Sequence, residues 1–288
     1  LAKKYAILLT IDVEDWFQVE NFKSYIDFST WNSFELRVEK NTHLILDLLD
    51  TFSFKPKATF FILGWIAQKL PDLVRQIRDR GHEIASHGTN HQLCTTLDKN
   101  QLTLDLLNSK KRLEDTTGQA VYGYRAPSFA INDRVLEIIK QSGYLYDSSY
   151  NSFSAHGRYG TINLSSAIKN GGSYQLDNHF FELPVSNLHL NSKTIPLGGG
   201  GYFRLYPAFF FKQGIKTVLK KNNAFIFYAH PWEFDPNQPR VKQASRGFKF
   251  RHYINLNKTE SKLHKIISAF ADCNFVTCQR YLEMTAMD

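Results

Sequence analysis

Short apolar runs of strand character alternate with helical periodicities along this sequence, and the alternation predicts a parallel β/α fold, closed as a barrel or wound open. Two further observations point the same way. No linker, repeat or low-complexity segment divides the 288 residues, a length at which α/β barrels are routinely single domains. The polar residues with chemical potential fall just after the apolar runs, where the loops of such folds converge. One domain over residues 1–288 is therefore expected.

The elements follow in order. Residues 5–11 and 58–63 are apolar runs of strand length, and 83–86, 121–124, 144–146, 180–185, 224–228 and 274–278 are further strand candidates. After the first strand, Leu44, Ile45, Leu48 and Leu49 recur at i, i+1, i+4 and i+5, the stripe of a helix. Helices are also predicted over 65–79, 100–116, 133–142, 207–220 and 259–271, with Gly118 and Gly143 as stop signals. Residues 150–178 are rich in Ser, Gly and Asn without a period, and read as a long loop or irregular insertion.

A composition of 43% hydrophobic and 22% charged residues is that of a soluble globular protein. No run reaches 18 consecutive apolar residues, so no transmembrane segment is expected. The N-terminal Leu-Ala-Lys-Lys shows no signal-peptide core, which sets a cytoplasmic expectation if the native start lies close to Leu1. The net charge is +8, and Lys242, Arg246, Lys249 and Arg251 alternate with Phe248 and Phe250. That stretch reads as a solvated loop; no nucleic-acid partner is expected, and peripheral contact with an anionic surface is the residual expectation. Cys94, Cys273 and Cys278 form no disulfide framework. Cys94, three residues after His91, could extend a metal site, but an inert buried thiol is the simpler account.

Five pieces at strand ends carry the chemistry. Asp12, Glu14 and Asp15 end the first run. His87 and His91 follow Ser86, and the H-x-x-x-H spacing puts both imidazoles on one side of a helical turn or tight loop. Two imidazoles and a carboxylate with an open position form the pattern of catalytic zinc. Arg125, Asp147 and His230 end three later strands. Singly, Asp147 could cap a turn and His230 could be a hydrogen-bonded core residue.

The ordered set TIDVED, HGTNH, RAPS, YDSS and YAH resembles the motifs of the polysaccharide deacetylase family, carbohydrate esterase family 4. The resemblance spans most of the chain, about residues 5–232. D-V-E-D-W in place of the usual first motif, and GGGGYFRLYP at residues 198–207, look like the exopolysaccharide-locus branch. Gly88 stands where Ser or Thr is usual. The resemblance implies a single-domain distorted (β/α) barrel of about seven strands, TIM-like. It implies a divalent metal, Zn²⁺ before Co²⁺ or Ni²⁺.

It further implies Asp12 as general base oriented by Arg125, His230 as general acid tuned by Asp147, and the Ser128 N–H as an oxyanion donor. His87, His91 and one acid would hold the metal. In an extended strand residues two apart share a face, so Asp12 and Glu14 point together and Glu14 is the expected ligand; a bulge would favour Asp15. The expected activity is N-deacetylation of an N-acetylated oligo- or polysaccharide, a surface polysaccharide or exopolysaccharide. The alternatives are a deformylase or ureide amidohydrolase of the same fold, or an inactive carbohydrate-binding homologue.

Overall fold

The computed structural model describes residues 5–153, 159–191 and 193–286. Its strands are β1 (Ala6–Val13), β2 (Ala58–Ile62), β3 (Glu83–Ser86), β4 (Gly123–Tyr124), β5 (Tyr146–Asp147), β6 (Ile168–Asn170), β7 (Ser173–Asp177), β8 (Phe180–Glu182), β9 (Asn187–Leu190), β10 (Lys193–Pro196), β11 (Ala224–Ala229) and β12 (Asn274–Phe275). Its helices are α1 (Val38–Asp50), α2 (Gly64–Lys69), α3 (Pro71–Asp79), α4 (Lys99–Thr117), α5 (Asp133–Gln141), α6 (Gly200–Leu205), α7 (Ala208–Asn222), α8 (Arg246–Tyr253), α9 (Thr259–Ala269) and α10 (Cys278–Ala286).

Seven strands pair in parallel in the order β11-β1-β2-β3-β4-β5-β8, and β12 adds to the start of β1. β1 is buried along its whole length, and its alternation sorts residues between two cores. Ala6 and Leu8 join Phe61, Ala85, Tyr146, Leu183 and Ile226 in an inner cluster that Cys278, Tyr281 and Leu282 of α10 complete. Ile7, Leu9, Ile11 and Val13 pack instead with helix residues such as Leu46 and Ile266. Between β8 and β11 the seam is carried by Ser186 and the glycine run. Ser186 N–H donates to the Ile226 carbonyl at 3.2 Å, and Tyr228 N–H to the Gly198 carbonyl at 2.7 Å. A Cβ on Gly199 would stand 1.8 Å from the Tyr228 carbonyl oxygen, so only glycine permits that approach.

Helix ends follow local chemistry. Asp98 and Gln101 form a capping box at the start of α4, and Gly118 ends it at φ 68°. The helix expected over 65–79 breaks in two, because Pro71 opens α3 as its first residue and cannot continue α2. The stretch 150–178 is not all loop. β6 and β7 form an antiparallel hairpin turned by Gly171-Gly172, and β9 and β10 form a second, unexpected one. The first is a Gly-Gly hairpin signal that the short, exposed strands obscure. Nor is the basic run a solvated loop: half of it is α8, Ser245 caps that helix, and Arg240 lies 4.1 Å over the Tyr253 ring.

Candidate active site

The sheet register sets Val13, Ile62, Ser86, Tyr124, Asp147 and Glu182 level at the C-terminal edge. The residues one step further are therefore delivered to a common mouth. They include Glu14, His87 and Arg125. Across β1, His230 follows Ala229, which is level with Ile11.

Glu14, His87 and His91 are buried and place one ligand atom each within 4.8 Å of the others. The His87 Nδ1–H donates to the Arg125 carbonyl at 2.7 Å, which leaves the Nε2 lone pair for a ligand. Burial pushes His87 down to about 4, keeping the ring neutral as a ligand must be. Glu14 Oε2 lies 2.7 Å from His91 Nε2, is buried and accepts no hydrogen bond. Burial alone would raise the Glu14 carboxyl, but the charges of His91 and His230 outweigh it and hold the group well below the carboxylate range. An ionised, orphaned carboxylate oxygen beside two imidazoles fits a divalent cation.

A tight loop presents His91, with Gly88 at φ 74° and His91 at φ 53°. A Cβ on Gly88 would stand 2.8 Å from Asp105 Oδ2. Asp105 accepts the Thr89 N–H at 3.1 and 3.2 Å and so braces the loop, which accounts for glycine where the resemblance expects Ser or Thr.

Asp15 is used elsewhere. Its carboxylate accepts the backbone N–H groups of Trp16 at 2.8 Å, Arg37 at 2.7 Å and Val38 at 2.9 Å, and so anchors the start of α1. The expectation of Glu14 as the metal-side acid agrees with this geometry. Trp232 Nε1–H donates to Glu14 Oε1 at 3.1 Å and fixes its orientation.

Arg125 is fully buried and holds Asp12 as expected. Its Nη1 donates to Asp12 Oδ1 at 2.7 Å and to Thr10 Oγ1 at 2.6 Å, and Nε donates to the Ser148 carbonyl at 2.9 Å. The guanidinium lies 4.2 Å over the Phe61 ring. Asp12 Oδ2 and Glu14 Oε1 stand 3.9 and 3.6 Å from His230 Nε2.

The residue beside His230 is not the one expected. Asp147 spends its carboxylate on Ser149, whose hydroxyl donates at 2.6 Å, and on the register neighbour Glu182. The partner of His230 is Glu233, with Oε1 2.7 Å from Nδ1. Arg204 Nε donates to the other oxygen of Glu233 at 2.6 Å. Burial pushes His230 down, yet Glu14, Glu233 and Asp12 together raise it to about 9. Glu233 had a sequence signal: it lies three residues after His230 in a turn opened by Pro231, a spacing that brings side chains together. Arg204, from the glycine-run stretch, had none.

Ser128 lines the same pocket as Asp12, Glu14, His87, His91 and His230, and stands with Phe129 in left-handed backbone, φ 54° and 57°. Cys94 stays out of the metal group: it contacts Tyr124 Oη at 3.1 Å, and burial pushes its thiol up to about 12. His252 is buried under the site, stacked 4.1 Å from Trp232, while His156 lies outside the described residues.

Residues 25–146 match the polysaccharide deacetylase family. The match covers less than half of the chain and marks a polysaccharide deacetylase domain there. Residues 148–283 match a domain of unknown function, DUF3473. The site therefore joins Glu14, from the segment before both matched ranges, with His87, His91 and Arg125 from the first and Arg204, His230 and Glu233 from the second. Peptidoglycan-N-acetylglucosamine deacetylase of Bacillus cereus is 37% identical over 103 residues, 36% of this chain and 47% of that relative. The chain thus spans about half the length of that curated relative. A putative polysaccharide deacetylase from Mycobacterium smegmatis superposes with a TM-score of 0.63 at 18% identity, covering 100% of this chain and 92% of that one. Puue allantoinase superposes at 0.61 and 14%, covering 97% and 90%. These two likenesses establish the shared fold.

Proposed function

We propose that this chain is a metal-dependent hydrolase that removes acetyl groups from N-acetylated sugar units of a polysaccharide, an exopolysaccharide being the substrate that the D-V-E-D-W motif favours. The observation that carries the reading is the convergence of three parts in one pocket: the Glu14–His87–His91 group, the Asp12–Arg125 pair and the His230–Glu233 pair. The family match and the deacetylase named in Bacillus cereus support it. A divalent metal, Zn²⁺ by the His₂-carboxylate donor set, supplies Lewis acidity toward the amide carbonyl and toward water.

The chain's own groups divide the proton work. Asp12, held by Arg125, accepts the proton of the attacking water. His230 carries a proton on Nε2 for the departing amine while Glu233 holds Nδ1 and stabilises the imidazolium. The Ser128 backbone N–H serves as an oxyanion donor, held in place by its strained turn.

Acetate release from N-acetylglucosamine oligomers, a β-1,6-linked N-acetylglucosamine polymer and peptidoglycan, with and without chelator, tests the reading. Chelator-sensitive acetate is expected, most from the β-1,6 polymer. Absence of acetate from every acetylated saccharide, with the protein folded and metal-loaded, would overturn it.

A further inference from the structure

Charge is unevenly placed along the chain. Between Glu182 and Glu260 stand twelve of the 35 basic residues and two of the 27 acidic ones, an excess larger than the chain's whole net charge of +8. The two acids, Glu233 and Asp235, are buried and already paired, with Arg204 and Arg37. Helices α6, α7 and α8 all belong to this segment. We propose that the surface formed by α6, the start of α7 and α8 docks on an anionic lipid bilayer. Its exposed apolar side chains enter the headgroup layer, and its lysines and arginines face lipid phosphates.

Exposure, adjacency and spacing point to that occupant. Leu205, Phe209, Phe210 and Phe250 are 44, 74, 38 and 57% exposed, and Phe209 is the most exposed large apolar side chain among the described residues. The helices that carry them are neighbours. Arg204 of α6 donates to the Arg251 and His252 carbonyls of α8 at 3.0 and 2.8 Å, and the Tyr206 and Phe210 rings lie 5.1 Å apart across the α6–α7 bend. Along α7, Phe209, Lys216 and Lys220 fall on the face opposite buried Phe211, Ile215 and Val218, so an apolar tip continues into a cationic stripe. On α8, exposed Phe250 stands beside exposed Arg251. Phe and Leu rimmed by cations compose a surface suited to the bilayer interface.

The chemistry favours lipid over a soluble anionic polymer. Leu and Phe side chains at helix ends offer a polymer no hydrogen bond, whereas in the interfacial layer they leave water. The cations beside them then gain from the negative potential of the leaflet. The patch also lies at the pocket end of the barrel, because α6 starts beside the Gly199–Tyr228 bridge, two residues before His230. Docking thus holds the pocket close to the membrane surface, whatever reaction it runs.

Co-sedimentation of the chain with vesicles of phosphatidylcholine, and of phosphatidylcholine with about one-third phosphatidylglycerol, tests the docking. The anionic vesicles are expected to bind at least about tenfold more tightly than the neutral ones, and to lose the chain at about 1 M salt, where the screening length is about 3 Å. Phe209→Ser combined with Phe250→Ser should weaken binding about tenfold or more, and so should Lys216→Glu combined with Lys220→Glu. Leu104→Ser, at an exposed apolar position on α4, should leave it unchanged. All five positions are solvent-facing, and circular dichroism checks that each variant is folded. No preference for anionic vesicles would overturn the proposal, as would unchanged binding in either double variant or an equal loss in Leu104→Ser. Tight binding of soluble polygalacturonate that the phenylalanine double variant weakens equally would overturn it in favour of an acidic glycan.

Discussion

Glu14 and Asp15 are neighbours, both buried, and have opposite fates. Glu14 keeps an oxygen without a hydrogen bond beside two imidazoles, whereas Asp15 satisfies three backbone N–H groups. Glu14→Ala should therefore lower metal affinity by more than about 100-fold with the fold intact, as measured by metal analysis after dialysis. Asp15→Ala should keep its metal and lose about 2–4 kcal/mol of stability in urea unfolding, since it strands buried amide donors. Full metal retention by Glu14→Ala would refute the assignment. For His230 the decisive neighbour is Glu233. On the proposed reaction, Glu233→Gln should cut kcat about 10–100-fold with bound metal unchanged. Loss of metal would instead place Glu233 in the ligand cage.

At the scale of elements, the start of β3 is set by His82. Its Nδ1 accepts the Ala58 N–H at 3.2 Å across the β2–β3 edge, and its ring packs 5.2 Å from Phe60. Burial, with help from the Lys57 charge, pushes His82 down to about 4. The folded chain thus binds this proton less readily than the unfolded chain does. Its contribution to stability is complete above about pH 6.5 and is lost as pH falls from there through about 4. The loss amounts to roughly 3 kcal/mol at most. In His82→Asn, whose side-chain oxygen accepts without titrating, urea midpoints at pH 7 and pH 4.5 should differ less than in the parent. An identical acid loss in both would exclude His82 as the cause. Elements were legible where their signals were local, as in Gly118 at the end of α4. The β6–β7 hairpin was not, because an exposed three-residue strand and a half-buried five-residue one without clear alternation resemble loop.

For the whole molecule, the seam between β8 and β11 matters most, because it carries the glycine-run stretch, and with it Arg204, onto β11 beside His230 and Glu233. Gly199 makes that seam possible, with φ 150° and no room for a Cβ. Gly199→Ala should lose more than about 3 kcal/mol and disturb the pocket, read by urea unfolding and metal affinity together. Gly247→Ala, in α8 with open space at its Cβ, should change stability by less than about 1 kcal/mol. Similar losses in both would mean that the seam has no special role.

Asp12, Glu14, His87, His91, Arg125 and His230 were all legible in the sequence, because a parallel β/α fold delivers the residue after each strand to one mouth. Period-2 alternation favoured Glu14 over Asp15, although the strand ends at Val13 and the Glu14 N–H turns back to the Asp12 carbonyl at 3.0 Å. Glu233 as the partner of His230 was open to a local reading, three residues on. Why Gly88 replaces a hydroxyl residue and how Arg204 reaches Glu233 depend on contacts between segments distant in sequence. Strand-end position is a local property of the chain; which distant carboxylate and cation meet is decided only when the sheet brings their segments together and burial makes an unpaired charge costly.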